Sequence, residues 1–126
     1  MTPFLLSLTL TLIAFGAVCL TGLFGLRSLH LVLVVLAVLS LGVTVYYAEQ
    51  LGDLYDLESA GTITPVHLTI AKLATLALLA PLATGVMSWR NVVHLRKHRL
   101  AVFLFLGLVV LALATGTWMI LASTPL

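Results

Sequence analysis

Four histidines, His30, His67, His94 and His98, are the side chains of this sequence best placed to do chemistry. Each lies in or at the edge of a long apolar run, where an ionisable group is costly and, when present, usually faces a helix-bundle interior or a polar site. His67 precedes Gly85 by 18 residues and His98 precedes Gly116 by the same 18, with Leu-Ala-Thr-Gly closing both stretches at 82–85 and 113–116. That spacing is about five turns of α-helix, so each histidine shares a face with its glycine at the far end of its own helix. If the two helices run antiparallel, His67 is level with Gly116 and His98 with Gly85. A neutral imidazole facing a notch with no side chain suits a haem standing edge-on between helices, which needs an axial ligand and room for the porphyrin.

The faces support this reading. Below His67 lie Ala71, Ala74, Leu78, Pro81 and Gly85, with Ser88 at the edge; below His98 lie Ala101, Val102, Phe105, Val109, Ala112 and Gly116. His30 and His98 enter the apolar region from one membrane side at similar depth and are the expected axial ligands of one haem b, with His94 as the alternative to His98. Arg27, Arg90 and Arg99 fall on that side, where guanidinium groups could pair with haem propionates. The opposite side offers only His67, with Met119 or a tyrosine such as Tyr46 or Tyr47 as its partner, so a second haem there is the poorer expectation.

A plainer reading stands beside it. Membrane histidines also serve as polar anchors or interhelical hydrogen-bond partners, and small-residue faces are ordinary packing devices. Copper would suit imidazole and thioether ligands, but His94 and His98 supply only two nearby donors. Lys72, about 140° from His67 around its helix, is expected to snorkel toward the interface. Pro81 should kink its helix and free a backbone carbonyl. The carboxylates Glu49, Asp53, Asp56 and Glu58 lack calcium-loop spacing, and no nucleotide loop, activated nucleophile or paired-carboxylate site is present.

The elements that must position these residues follow from composition. Of 126 residues, 62% are hydrophobic and 8% charged, and the mean hydropathy is +1.24. These values exclude an ordinary water-soluble domain. Apolar runs at about 4–26, 28–48, 63–89 and 100–122 are each long enough to cross the bilayer as a helix, and their continuous apolarity argues against alternating barrel strands. The expectation is all-α: an integral membrane four-helix bundle, up-down-up-down, forming a single transmembrane domain over 1–126. The first run has no basic segment before it and is expected to be a retained helix. It carries no histidine, and Gly16, Gly22 and Gly25 are expected to serve it only as packing notches. Cys19, the single cysteine, has no intrachain disulfide partner.

Arg27, Arg90, Arg96, Lys97 and Arg99 follow the first and third runs, whereas all four acids follow the second. The positive-inside rule then puts both termini outside, which in a bacterium is the periplasm. Tyr46, Tyr47, Tyr55, Trp89 and Trp118 fall near the expected interfaces.

From Arg27 onward, the order of features resembles the small four-helix bacterial membrane proteins linked to haem-copper oxidase assembly, the CtaM-like family. The matching features are His30 opening the second helix, Tyr46-Tyr47 closing it, His67 opening the third, Pro81-Leu82-Ala83, Lys97-His98-Arg99 and Thr115-Gly116. The match departs from that pattern at Glu49, where a further histidine is expected, and in a longer gap between His67 and Pro81. The layout is also similar to bacterial four-helix b-type cytochromes. These resemblances imply a multi-pass protein of the bacterial inner membrane whose partners are lipid and the membrane subunits of a respiratory complex, with no nucleic acid. The expected role is a haem-b-binding subunit for electron transfer, not an enzyme on its own. The alternative is a cofactor-free accessory or assembly subunit.

Overall fold

A computed structural model describes residues 2–126. Four helical stretches are long and apolar enough to cross a membrane: Thr2–Leu23, Arg27–Gly52, Ile63–Arg90 and Val92–Ala122. They contain five α-helices, α1 (Thr2–Leu23), α2 (Arg27–Gly52), α3 (Ile63–Ala77), α4 (Leu79–Arg90) and α5 (Leu95–Ala122). The all-α expectation is met, and most of the large apolar side chains point outward, as a lipid-facing surface requires.

The chain divides into two compact units between Tyr55 and Asp56. In the first, α1 and α2 form an antiparallel hairpin. Gly25 makes the turn possible because its φ of +70° lies in the left-handed region. The Leu26 N–H reaches back to the Thr21 carbonyl at 3.0 Å, closing α1 with a Schellman-type bond. This turn ends the first helix at Leu23, short of the expected residue 26. The hairpin core is small and hydroxylated: the Thr11 hydroxyl lies 2.6 Å from Ser40 Oγ and 2.8 Å from Thr44 Oγ1. Ala37, 1% exposed, lets the helices approach closely.

In the second unit α3 and α4 pack antiparallel against α5, burying Ala74, Pro81, Phe105 and Met119. The third membrane stretch breaks at Leu78. Pro81 has no N–H to give the Ala77 carbonyl, so the helical ladder is interrupted where the sequence predicts it. The fourth begins earlier than residue 100: a 3-10 turn at Val92–His94, capped by Asn91 Oδ1 accepting from the Val93 N–H at 3.0 Å, leads directly into α5 at Leu95. Arg96, Lys97 and Arg99 are therefore helical. Their long side chains keep the charges exposed while the backbone continues as helix.

Candidate functional site

Three of the four histidines sit in one recurring arrangement, each against a Thr-Gly step on the antiparallel neighbour within its own unit. His30, one turn into α2, packs on Thr21-Gly22 of α1. His98, at the start of α5, packs on Thr84-Gly85 of α4, and His67, near the start of α3, packs on Thr115-Gly116 of α5. The antiparallel register expected for the last two is therefore found.

The glycine makes room for the ring. A Cβ added to Gly22 would lie 3.2 Å from His30 Cε1, one on Gly85 3.3 Å from His98 Cε1, and one on Gly116 only 2.8 Å from His67 Cε1. The edge of the imidazole itself thus occupies each notch, where the sequence suggested space for a porphyrin edge. Gly16 and Gly25, by contrast, have nothing within 4 Å of such a Cβ.

The threonine holds the ring. Thr21, Thr84 and Thr115 each donate their hydroxyl proton to the carbonyl four residues back, at 2.9, 2.7 and 2.8 Å. Each hydroxyl oxygen then has only lone pairs to offer, and Nδ1 of the facing histidine lies 3.3 Å away at His30, 3.3 Å at His98 and 3.1 Å at His67. A main-chain carbonyl reinforces the contact in the first hairpin, where His30 Nδ1 is 3.0 Å from the Val18 oxygen. Val18 stands four residues before Gly22, where the missing side chain leaves the carbonyl reachable from the flank.

His94 differs. It ends the 3-10 turn before α5, faces no Thr-Gly step, and its Nδ1 is buried with no hydrogen-bond partner among the described residues. Arg27, Arg90 and Arg99 are exposed near helix ends. Met119 is buried on α5, three residues beyond Gly116, and Tyr46 and Tyr47 meet edge to face with ring centroids 5.5 Å apart. Lys72 is exposed on α3.

The seat for His30 was not read from the sequence, which assigned α1 only packing notches. A signal for it exists. Aligning Gly22 with Gly85 also brings Leu5 onto Leu68, Leu10 onto Leu73, Ala14 onto Ala77, Ala17 onto Ala80, Thr21 onto Thr84 and Arg27 onto Arg90. His30 and His98 then occupy equivalent places on the returning helices. The Leu-Ala-Thr-Gly repeat of the later helices is thus part of a wider likeness between the two hairpins. At the other end the likeness stops: Phe4 and Tyr47-Ala48 stand where the second unit has His67 and Thr115-Gly116.

Chemically, each seat offers one imidazole held through Nδ1. No three His, Cys, Asp or Glu side chains gather at one point among the described residues. An iron already held by a porphyrin takes only one or two axial ligands from protein, and a donor set of dispersed, oriented imidazoles fits that need. The sequence matches no family model, and no curated protein or solved structure matches it.

Proposed function

We propose that the protein is a haem-b-binding membrane subunit that passes electrons within or beside a respiratory complex, with His30 and His98 as the axial ligands. The observation that carries this is the equivalence of these two imidazoles in the two hairpins, each anchored through Nδ1 by a Thr-Gly step. A histidine whose Nδ1 is held by an oxygen acceptor presents Nε2 to a metal in a fixed orientation, the arrangement that second-shell acceptors give ligating histidines. Haem b, when bound, supplies reversible one-electron chemistry at iron. The chain's own residues orient the imidazoles, exclude water with the surrounding apolar helices, and offer Arg27, Arg90 and Arg99 to propionates. The respiratory setting, the bacterial inner membrane and the outward termini rest on the CtaM-like and cytochrome-like resemblances and on the one-sided distribution of basic residues.

A second reading, a cofactor-free accessory or assembly subunit, has its own support. Each seated imidazole already fills its glycine notch and hydrogen-bonds its neighbour, so the joints hold helix pairs together with nothing bound. The optical spectrum of protein purified after expression with ample haem separates the two. A Soret band with dithionite-sharpened α and β bands is expected; haem-free protein under those conditions would favour the second reading.

A further inference from the structure

We infer that Thr21, Thr84 and Thr115, each with the glycine that follows it, are positioning residues that lock the facing histidine as the Nδ1–H tautomer, which at His30 and His98 makes Nε2 the nitrogen with a lone pair. The inference deepens the haem reading for His30 and His98 and extends the same arrangement to His67.

The argument is one of proton accounting. A neutral imidazole has one N–H and one lone pair, and the hydrogen bond made by one nitrogen decides the state of the other. In water free histidine favours the proton on Nε2, so the opposite tautomer has to be imposed. In each seat the hydroxyl proton is already committed to the helix carbonyl, by Thr21 to Ala17, Thr84 to Ala80 and Thr115 to Leu111. The hydroxyl oxygen can then only accept, which makes Nδ1 the donor. The Val18 carbonyl at 3.0 Å from His30 Nδ1 has no proton to give and imposes the same choice. Glycine is the third component: a Cβ at Gly116 would meet the His67 ring at 2.8 Å and force it to move, and one at Gly22 or Gly85 would crowd the ring at 3.2 or 3.3 Å.

Two consequences separate this role from mere packing. His94, which has no Thr-Gly step, is left out of the set, so His98 is the oriented imidazole of its loop. A held Nδ1–H also makes Nε2 a stronger donor. Were haem bound at His30 or His98, that donation would favour the ferric state, so replacing the facing threonine by valine should raise the midpoint potential.

The test uses the full-length chain carrying 15N-labelled histidine in lipid nanodiscs, expressed without added haem. Nitrogen chemical shifts, assigned by single His→Gln variants, are expected to show His30, His67 and His98 as Nδ1–H and His94 outside that tautomer. Thr115→Val, nearly isosteric, should shift the His67 tautomer ratio roughly fivefold, the size of one ordinary hydrogen bond; Thr115→Ser should restore it, and Gly116→Ala should disturb it as well. Thr84→Val should do the same to His98. Circular dichroism of each variant confirms that the helices remain. Nε2–H signals from the three seated histidines in the wild type would overturn the inference, as would tautomer ratios unmoved by the valine substitutions. Because the readout is taken on haem-free protein, a missing Soret band would defeat the haem reading and leave this result standing.

Discussion

The two hairpins share one joint and differ at the other. At the turn side of the first and the loop side of the second, each seats an imidazole on a Thr-Gly step, His30 on Gly22 and His98 on Gly85. Farther along, the first hairpin is joined by hydroxyls, with Thr11 bonded to Ser40 and Thr44, while the second carries another imidazole, His67, on Thr115-Gly116. In lipid a helix pair gains little from apolar burial and is held by close packing and interhelical hydrogen bonds. The hydroxyl cluster shows that this chain can pin two helices without histidine. Imidazoles at the other three joints therefore add something packing does not require, a titratable aromatic nitrogen base held against a Thr-Gly step.

The comparison can be broken most decisively at the histidines. His30→Ala and His98→Ala are each expected to abolish the Soret absorbance of the purified protein, whereas His67→Ala retains most of it; the reverse order would move the site to the other end of the second hairpin. Next come the glycines. Gly116→Ala, whose Cβ would approach His67 to 2.8 Å, should destabilise the protein by about 1–3 kcal/mol, read from thermal unfolding in detergent. Gly22→Ala and Gly85→Ala, with 3.2 and 3.3 Å available, should lose less, and equal losses at all three would show that the seats do not differ in tightness. Thr11→Val should destabilise by about 0.6 kcal/mol, a typical interhelical hydrogen bond in a membrane protein, without moving any histidine nitrogen signal. The smallest effect is expected at Gly16→Ala, which meets nothing within 4 Å and exchanges glycine for a better helix former, giving a gain of no more than about 1 kcal/mol.

Much of this architecture is legible in the sequence because membrane helices announce themselves by length and apolarity. The four spans, the break near Pro81, and the facing of His67 with Gly116 and His98 with Gly85 all follow from counting residues along helices. The seat of His30 was harder to see because its step reads Leu-Thr-Gly without the preceding alanine, and because the tight turn at Gly25 brings histidine and glycine only eight residues apart in sequence. The filling of the notches was not legible at all. A missing side chain specifies that something approaches closely, and only coordinates show that the visitor is the imidazole edge. The early start of α5 escaped for a different reason: charge marks where apolar sequence ends, but a helix whose basic side chains reach the interface can continue through them.

The break at Leu78 sets the third membrane stretch apart from the others, whose α-helices are undivided. It divides the stretch into arms of 15 and 12 residues, α3 and α4, joined where the proline ring interrupts the hydrogen-bond ladder. His67 rides on one arm, and the Thr84-Gly85 seat of His98 rides on the other. Leu78 itself stays in the right-handed helical region and is bonded on both sides, its N–H to the Ala74 carbonyl and its carbonyl to the Leu82 N–H, so the two arms are joined by a stretch that lacks the bond proline cannot make. The second hairpin thus carries its two imidazoles on one continuous helix, α5, and on one arm of a divided stretch, with each joint on a different arm.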